Sequence, residues 1–332
     1  MLQNEAYSFA IIQFPERPAA WDQEIRKFAT KTLFHESAWL DFMMLKVPQQ
    51  CGVKYFEIRQ NGTLVGYFCG LVLKKFVFSM YESLWLGTTV YQGPVVNEDV
   101  NQTELVRALM RVSKQTGIAS MKLTNDWLDP SVMRQLGFAV TPSVTQICPL
   151  QPDETAVWNA MKGTCRTRIR KGERMGLVAE TTQDPAIADY FYRFFFKVLA
   201  LKDRLPMYDI DFPRTLMSCL LPADLLFPIW VKHQGKVIGA AFYAHDERAM
   251  YFLDGASDPA YLHLCPNELL HWTAMKLAMR RGIPVFNIGG APAPSRFTRK
   301  FGGGLVPFNT YHKSFVPFLD AARQLYALRR AV

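Results

Sequence analysis

The alternation of hydrophobic and polar positions is most regular in residues 267–304. Helically spaced apolar positions there predict a helix that Asn267 caps and that Gly282 ends. These apolar positions are Leu270, Ala274, Leu277 and Ala278. The short apolar run 285–288 then predicts a buried strand, which a glycine pair ends. A second, basic helix with a glycine cluster completes the stretch, so the pattern predicts a helix, a strand and a helix in succession.

The same order of elements occurs earlier in the chain, in residues 101–138. Three segments align: Glu104-Leu105-Val106 with Glu268-Leu269-Leu270, Thr116-Gly117-Ile118 with Arg281-Gly282-Ile283, and Arg134-Gln135-Leu136-Gly137 with Arg299-Lys300-Phe301-Gly302. A similar hairpin precedes each copy, at Asn61-Gly62 and at Gln234-Gly235. We interpret the chain as two copies of one α/β domain, with domains at 1–150 and 151–332.

The remaining elements follow from shorter patterns along the chain. Strands are predicted at 9–12, 55–59, 64–73, 84–86, 140–150, 226–232, 237–244, 249–253 and 308–315, with loops at 87–94 and 254–266. Helices are predicted at 21–30, from Ser37 to Pro48, at 187–201, 212–220 and 318–330, and from Asp153 without a break through a basic run to Gly176.

Composition narrows the class of protein. The chain has 332 residues, of which 49% are hydrophobic, so disorder is excluded. Its net charge of +9 favours phosphate-bearing ligands, nucleic acid or an anionic membrane surface. The six cysteines form no CxxC pair and no histidine lies at metal-ligand spacing, so we expect reduced thiols and no metal. The sequence has neither a signal-peptide pattern nor a long uninterrupted apolar segment, which predicts a cytoplasmic protein and leaves membrane-surface association open.

Two groups of cations are candidates for binding phosphate. The first group is the basic run, which comprises Arg166, Arg168, Arg170, Lys171 and Arg174. Arginine binds phosphate through two parallel hydrogen bonds, so a nucleotide-linked or lipid-linked diphosphate is a suitable partner, although a solvated helix face has the same pattern. The second is Lys300, which lies between glycine clusters and can stabilise an oxyanion or a phosphate, or can be a surface lysine.

Acid–base chemistry has two candidates, Asp254 and His263. Asp254 ends a predicted strand, where a carboxylate can take a proton from an attacking ammonium; a turn-forming aspartate before glycine is the alternative. His263 lies in the predicted loop that follows. Arg204 and Tyr208 follow a long aromatic helix and are candidates for lining an acceptor groove, or simply for ending that helix.

The order of hairpin, helix, strand, helix and strand in each half is similar to the acyltransferase fold of the GNAT superfamily, and the tandem arrangement resembles its FemAB-like branch. Residues 158–177, with Arg166-x-Arg168-Ile169-Arg170-Lys171-Gly172, look like that branch's basic helix. The segment Phe286-Asn287-Ile288-Gly289-Gly290 and the later Arg299-Lys300-Phe301-Gly302 also resemble it. The resemblance implies an α/β (α+β) fold of two tandem domains, each with a mixed central sheet flanked by helices.

The resemblance further implies transfer of an acyl or aminoacyl group to an amine of a cell-wall or polysaccharide precursor. The donor is then acyl-CoA or aminoacyl-tRNA, and tRNA becomes a partner. Under this interpretation the catalytic candidates are Asp254, Lys300 and His263, and the acceptor-binding candidates are Arg166, Arg168, Arg170, Arg204 and Tyr208. The donor-binding candidates are Pro266, Asn267, Gly289, Gly290 and Phe301.

Two departures from the family pattern bear on this interpretation. The glycine-rich pyrophosphate loop of CoA-dependent members is missing from both halves, and residues 261–266 take its place. The aspartate common at the family's Asp-x-Gly-Gly strand end is Asn287 here, which weakens an acid–base role at that position. A non-catalytic protein of the same fold that binds a phosphorylated glycan or RNA is therefore the alternative hypothesis.

Overall fold

The computed structural model describes residues 8–46, 50–75, 77–83, 91–97, 99–289, 295–316 and 318. The chain divides into two compact units, residues 1–143 with 308–332, and residues 144–307. The predicted strand 84–86, most of the loop 87–94 and the closing helix 318–330 lie outside the described residues, apart from Phe318 at the start of that helix.

The first unit is a mixed sheet with helices against it. Its elements are β1 (Phe9–Phe14), α1 (Trp21–Ile25), α2 (Ser37–Lys46), β2 (Gln50–Gln60), β3 (Thr63–Lys75), β4 (Phe78–Glu82), β5 (Pro94–Val96), α3 (Gln102–Gln115), β6 (Ile118–Asn125) and α4 (Pro130–Gln135). Strands β1, β2, β3 and β4 pair antiparallel in that order, β4 pairs parallel with β6, and β5 pairs with β3. The hairpin turn between β2 and β3 is the predicted one, because Asn61 and Gly62 both have positive φ.

The second unit is also a mixed sheet, with helices on both of its faces. Its elements are α5 (Glu154–Ala160), α6 (Gly163–Arg174), β8 (Leu177–Thr181), α7 (Ala186–Ala200), α8 (Asp211–Leu220), β9 (Leu226–His233), β10 (Lys236–His245), β11 (Met250–Ser257), α9 (Pro266–Arg280) and β12 (Val285–Gly289), preceded by β7 (Ala139–Pro149) and followed by β13 (Gly304–Ser314). The strand order is β7-β12-β11-β10-β9-β8, in which β11 and β12 run parallel. The predicted α/β fold of two mixed sheets flanked by helices is therefore confirmed.

The unit boundaries differ from the predicted domains 1–150 and 151–332. Residues 309–314 of β13 pair antiparallel with β6, so the last part of the chain belongs to the first unit. Residues 146–149 of β7 pair with β12, so they belong to the second unit. Strand pairing, which the sequence does not reveal over this separation, determines both boundaries.

The predicted helix from Asp153 to Gly176 is two helices. Asp153 does cap the first, because its side chain accepts the Thr155 N–H at 2.8 Å. Met161 and Lys162 then have extended backbone, and the Lys162 N–H donates to the carbonyl of Lys300 instead of continuing the helix. The break therefore ties the basic helix α6 to the segment that carries Lys300.

Three other predictions change in length. The helix predicted at 21–30 is the single turn α1, and the second basic helix is a 3-10 turn at Thr298–Phe301. Strand β11 continues beyond Leu253 to Ser257, and the predicted loop after it contains the 3-10 helix Pro259–Leu264. Asp254 therefore lies within a strand and not at its end.

Candidate active site

A β-bulge decides which way Asp254 points. In the pairing of β10 with β11, Tyr243 lies opposite Phe252 and Phe242 lies opposite Asp254, so Leu253 is an extra residue. An extra residue reverses the alternation of side chains along a strand, so Phe252 and Asp254 lie on opposite faces of the sheet. Phe252 packs toward α9 and Asp254 lies on the side of α7.

Tyr208 is the main partner of Asp254. Its hydroxyl donates to Asp254 Oδ2, and the Gly255 N–H donates to Oδ1 at 2.7 Å. The phenol ring stacks between Phe195 and Phe212, with centroid distances of 5.1 and 4.1 Å. The stack fixes the orientation of the hydroxyl, and the hydroxyl and the Gly255 N–H together fix the carboxyl group.

Burial changes the proton affinity of this pair. Desolvation raises the pKa of Asp254 above its usual value, although hydrogen bonds from Tyr208 and Gly255 oppose the rise. Desolvation and the neighbouring carboxylate of Asp254 also raise the pKa of Tyr208. A carboxyl group with a raised pKa is a stronger base, which suits it to accept a proton from an amine.

The sheet opens beside this carboxyl group. Among the described residues, strands β11 and β12 pair only at Met250–Phe286 and Tyr251–Asn287, and β12 continues beside β7. Beyond Tyr251, β10 is the strand neighbour that β11 retains within the described residues. The other edge of β11 therefore presents backbone N–H and C=O groups next to the bulge, where a substrate carbonyl can approach.

A second group of charges lies on the α9 side of the sheet. Glu268, in the first turn of α9, is buried and accepts from Lys300 Nζ at 2.5 Å and from Arg168 at 3.1 Å. The Lys300 ammonium also lies 4.0 Å from the ring centroid of Phe297. The charge of Lys300 is thus neutralised inside the protein, and binding of an external anion requires it to exchange partners.

Two glycines fix the backbone behind Lys300. Gly302 and Gly303 have φ values of +88° and +69°. A Cβ on Gly302 would lie 2.8 Å from the carbonyl oxygen of Ala160, and one on Gly303 would collide with the carbonyl oxygen of Ile147. The glycine cluster after Lys300 therefore serves close packing of backbone within the second unit.

Two buried polar residues of the second unit, Asn287 and His271, make hydrogen bonds within the protein. Asn287 Oδ1 accepts from the Thr145 hydroxyl at 2.6 Å and from the Gly289 N–H at 2.9 Å, so it holds the end of β12. His271 Nδ1 lies 3.0 Å from the Tyr243 hydroxyl. Burial, with Lys300 contributing, lowers the pKa of His271 to about 3, so its imidazole is neutral.

The basic run on α6 lies beside two tryptophans, one on the preceding helix α5 and one on the distant helix α9. Arg170 lies 5.2 Å from the Trp158 ring, which is 5.1 Å from the Trp272 ring. Lys276 lies 5.7 Å from Trp272. Arg166 donates to Asn159 at 3.0 Å, and Lys171 and Arg174 are exposed. This surface combines cations with the partly exposed ring of Trp158, whereas the ring of Trp272 is buried.

The structure brings together some predicted residues and separates others. Asp254 joins Tyr208, and Lys300 joins Arg168 through Glu268, but these two groups lie on opposite faces of the sheet. Arg204 and His263 are exposed, and within the described residues the imidazole of His263 makes no hydrogen bond.

The predicted donor-binding residues serve local structure. Pro266 is buried at the start of α9, Asn267 accepts from the Ser257 hydroxyl at 2.6 Å, and Phe301 packs against His271. Gly289 has a φ of +75°, and Gly290 lies outside the described residues.

Glu268 is the residue that sequence reasoning missed as a partner of Lys300 and Arg168. A signal was available in the internal repeat, because Glu268 aligns with Glu104 whereas Lys300 aligns with Gln135. Both copies thus have the glutamate, but only the second has a lysine at the aligned position. This difference indicates that Glu268 and Lys300 form an ion pair.

The loop before α9 does not suit a CoA pyrophosphate. Such a group needs several free backbone N–H groups at a helix start. Here the loop contains no glycine, Pro266 lacks an N–H, and Glu268 places a carboxylate in the first turn. The carbonyl oxygen of Leu264 lies 3.2 Å from the position of a Cβ on Gly172 in α6, so the loop is packed closely against that helix.

The described residues lack two other kinds of feature, a metal-binding group and a membrane-spanning helix. They contain no group of three or more histidine, cysteine or acidic side chains placed to hold a metal ion. None of their helices combines the length and the apolar character that crossing a bilayer requires.

Comparison with known proteins agrees with the architecture. Residues 159–297 match the family described as acetyltransferase (GNAT) domain. No curated protein matches the sequence significantly. The crystal structure of FemX is similar with a TM-score of 0.73 and 14% identity, over 90% of this chain and 96% of that one.

Two further solved structures share the fold. A tandem GNAT protein from the clavulanic acid biosynthesis pathway has a TM-score of 0.56 and 11% identity, over 92% of this chain and 98% of that one. The C-terminal domain of a putative lysylphosphatidylglycerol synthetase from Agrobacterium fabrum has a TM-score of 0.55 and 15% identity, over 78% and 84%. Residues 159–297 therefore match a GNAT acetyltransferase domain, and the chain as a whole has the tandem fold of these solved structures.

Proposed function

We propose that the protein is an N-acyltransferase that moves an acyl or aminoacyl group from a thioester or ester donor to an amine of a cell-wall or polysaccharide precursor. The observation that carries the proposal is the Asp254–Tyr208 pair, held beside the opening between β11 and β12. A base, a site for a carbonyl group and a route for an amine are what direct acyl transfer needs.

Asp254 acts as the general base in this proposal. It takes a proton from the attacking ammonium, and the free amine then adds to the donor carbonyl, forming a C–N bond. Backbone N–H groups on the open edge of β11 stabilise the resulting oxyanion. When the intermediate collapses, the C–S or C–O bond of the donor breaks, and the proton held by Asp254 passes to the leaving thiolate or alkoxide. The nitrogen loses its second excess proton to the regenerated Asp254 carboxylate, which releases it to solvent, so the product is a neutral amide.

Tyr208 positions the carboxylate for this step. Its hydroxyl donates to Asp254, and its ring is held by Phe195 and Phe212, so the base has one orientation toward the opening. No covalent intermediate is required, because aligning the two reactants can lower the barrier by about 7–11 kcal/mol.

Aminoacyl-tRNA is the donor that the surroundings favour over acyl-CoA. The loop before α9 is a poor pyrophosphate site, whereas Arg170, Lys276 and the partly exposed ring of Trp158 form a cationic surface with an aromatic ring, which suits a nucleic acid. The exposed cations of α6 equally suit a phosphate-bearing acceptor such as a nucleotide-linked or lipid-linked sugar. Both donors are made in the cytoplasm, where we place the reaction.

The test is product formation by the purified chain. It is incubated with isotope-labelled charged tRNAs or with acetyl-CoA, and with a UDP-linked peptidoglycan precursor or a panel of amino sugars. Mass spectrometry then detects acylated amines. We expect Asp254→Asn to lower the rate about 100-fold or more, because an amide cannot accept the proton. Tyr208→Phe should lower it less.

The matched control is Asp224→Asn, which removes an exposed carboxylate of the same unit that pairs with Arg281. We expect this variant to retain the rate of the unaltered protein. Unchanged turnover in Asp254→Asn would place the reaction centre elsewhere. Binding of phosphorylated glycan or RNA without any product would support the non-catalytic alternative.

A further inference from the structure

The segment that leads to Tyr208 carries an exposed apolar surface. We name residues 193–207, the end of α7 and the turn after it, the α7 rim. Four large apolar side chains project from it into solvent, and their exposed fractions are 52% for Phe196, 73% for Leu201, 87% for Leu205 and 65% for Met207. Exposed apolar side chains are ordinary when scattered, but four in one short segment form a patch that indicates a binding surface.

Backbone hydrogen bonds fix the conformation of the turn that carries this surface. The N–H groups of Lys202 and Arg204 both donate to the carbonyl of Leu199, at 2.9 and 3.1 Å. Asp203 between them has a φ of +52°, the left-handed conformation typical of a helix end. The buried face of α7 is formed by other residues, among them Phe191 and Phe194, so the rim side chains are not needed for the core.

Cations surround the apolar side chains. The rim contains Arg193, Lys197, Lys202 and Arg204 against the single acid Asp203. Arg193, Lys202 and Arg204 are exposed, and Lys197 pairs with Asp258 at 3.0 Å. Apolar side chains can enter the boundary between the lipid headgroups and the acyl chains, and cations can lie at the depth of the headgroups. This combination binds the surface of an anionic bilayer.

We propose that the α7 rim docks on a bilayer that contains anionic phospholipid. The rim ends next to Tyr208, whose hydroxyl holds Asp254, so docking brings the open edge of the sheet to the membrane surface. The amine acceptor is then one that the membrane presents, such as a lipid-linked sugar. This last step rests on the proposed function, whereas docking itself does not.

The experiment is sedimentation of the full chain with vesicles. We compare vesicles of phosphatidylcholine alone with vesicles in which part of it is replaced by phosphatidylglycerol. The protein should bind the anionic vesicles, and binding should weaken as salt is added. The double variant Leu201→Ser/Leu205→Ser should lower the binding constant about tenfold or more. The double variant Arg193→Gln/Lys202→Gln should reduce the preference for anionic vesicles.

The matched control is the double variant Met175→Ser/Val178→Ser, which removes exposed apolar side chains near the end of α6 and on β8. It should bind as the unaltered protein does. Docking through the rim is overturned if the chain binds neither vesicle, if the rim variant binds as well as the control, or if neutral vesicles bind equally. A concentration-dependent dimer that the rim variant abolishes, without vesicle binding, would assign the surface to a second copy instead.

The two proposals fail in different ways. Asp254→Asn should bind vesicles like the unaltered protein even where it abolishes turnover. Leu201→Ser/Leu205→Ser should retain turnover on a soluble amine acceptor while losing vesicle binding. Loss of both properties in the rim variant, with its circular dichroism spectrum unchanged, would contradict a separate docking role.

Discussion

Helices α3 and α9 are aligned copies of one element, and each has a glutamate in its first turn. Glu104 in α3 is partly exposed and pairs with Arg107 one turn later, at 2.6 Å. Glu268 in α9 is buried and pairs with Lys300 from a distant segment and with Arg168. The same residue at the same helical position therefore serves a solvated surface in one copy and an internal charge cluster in the other.

The residue available to pair with each glutamate explains why one glutamate is exposed and the other is buried. The position of Lys300 in the second copy is Gln135 in the first, which cannot neutralise a buried carboxylate. The start of the helix differs as well. Asn101 caps α3 by accepting the Glu104 N–H at 3.1 Å, whereas α9 begins at Pro266, directly after Cys265 in the left-handed conformation. The two copies of this helix therefore differ both in the partner of the glutamate and in the way the helix begins.

The parallel strand pairs of the two units, β4 with β6 and β11 with β12, differ as well. In the first unit, β4 and β6 stay paired to Glu82 and Lys122, whose side chains form an ion pair at 3.2 Å. In the second unit, the described residues of β11 and β12 pair only as far as Tyr251, and β11 continues to Ser257. Within the described parts of the chain, the first copy thus has paired charges at this edge, and the second copy has an open edge beside a carboxyl group.

The largest expected contrast is between the two glutamates. Glu268→Ala should lower the free energy of unfolding by about 3–5 kcal/mol, because it leaves the Lys300 ammonium buried without its partner. Glu104→Ala removes a surface pair and should change it by less than about 0.5 kcal/mol. Urea denaturation of both variants measures the difference. Equal effects would show that Glu268 is not energetically coupled to Lys300.

The aligned glycines give a smaller contrast. Gly302 and Gly137 both have positive φ, so alanine is strained at either position. At Gly302 the added Cβ also meets the backbone carbonyl of Ala160, whereas at Gly137 it meets the flexible end of Lys313. Thermal denaturation should therefore show Gly302→Ala to be about 1–2 kcal/mol more destabilising than Gly137→Ala. Equal losses would mean that φ strain accounts for both.

The smallest effect is the pH dependence that Asp254 contributes. Its folded pKa is raised, so its contribution to stability is fully present below the unfolded pKa of about 4 and is lost as pH rises through the folded pKa. Relative to Asp254→Asn, the unaltered protein should lose stability as the pH rises from acid to neutral.

Asp224 provides the control of opposite sign. Its pKa is lowered by Arg281, so its contribution is present above the unfolded pKa and is lost as pH falls. Urea denaturation of both asparagine variants between acid and neutral pH measures the two slopes. A slope of the same sign in both variants would contradict the raised pKa of Asp254.

Local patterns were sufficient for most elements of the fold. The Asn61-Gly62 turn, the Asp153 cap and the glycine ends of α3 and α9 were predicted because each is determined by the conformational preferences of adjacent residues. The repeat predicted two related domains, because the periodicity of helix and strand survives even where individual residues diverge. The ends of elements were predicted less well where a tertiary hydrogen bond decides them, as at Lys162 and Lys300.

The candidate site could be predicted only in part. Asp254 and Tyr208 were both identified from the sequence, but the contact between them depends on a bulge at Leu253 that no local signal marks. Lys300 and Arg168 were identified as separate cations, and the carboxylate that joins them was not. The aromatic rings beside Arg170 come from α5 and α9, which the sequence of the basic run does not reveal.

The sequence by itself determined the element types, the duplication and the basic and apolar character of particular segments, because these depend on residues close together in the chain. Only the tertiary structure decided that β13 joins the first unit, that Glu268 is buried, and that Asp254 faces Tyr208 rather than Lys300. Strand register and the face on which a side chain lies arise from contacts between distant segments, and a single inserted residue in a strand reverses that face.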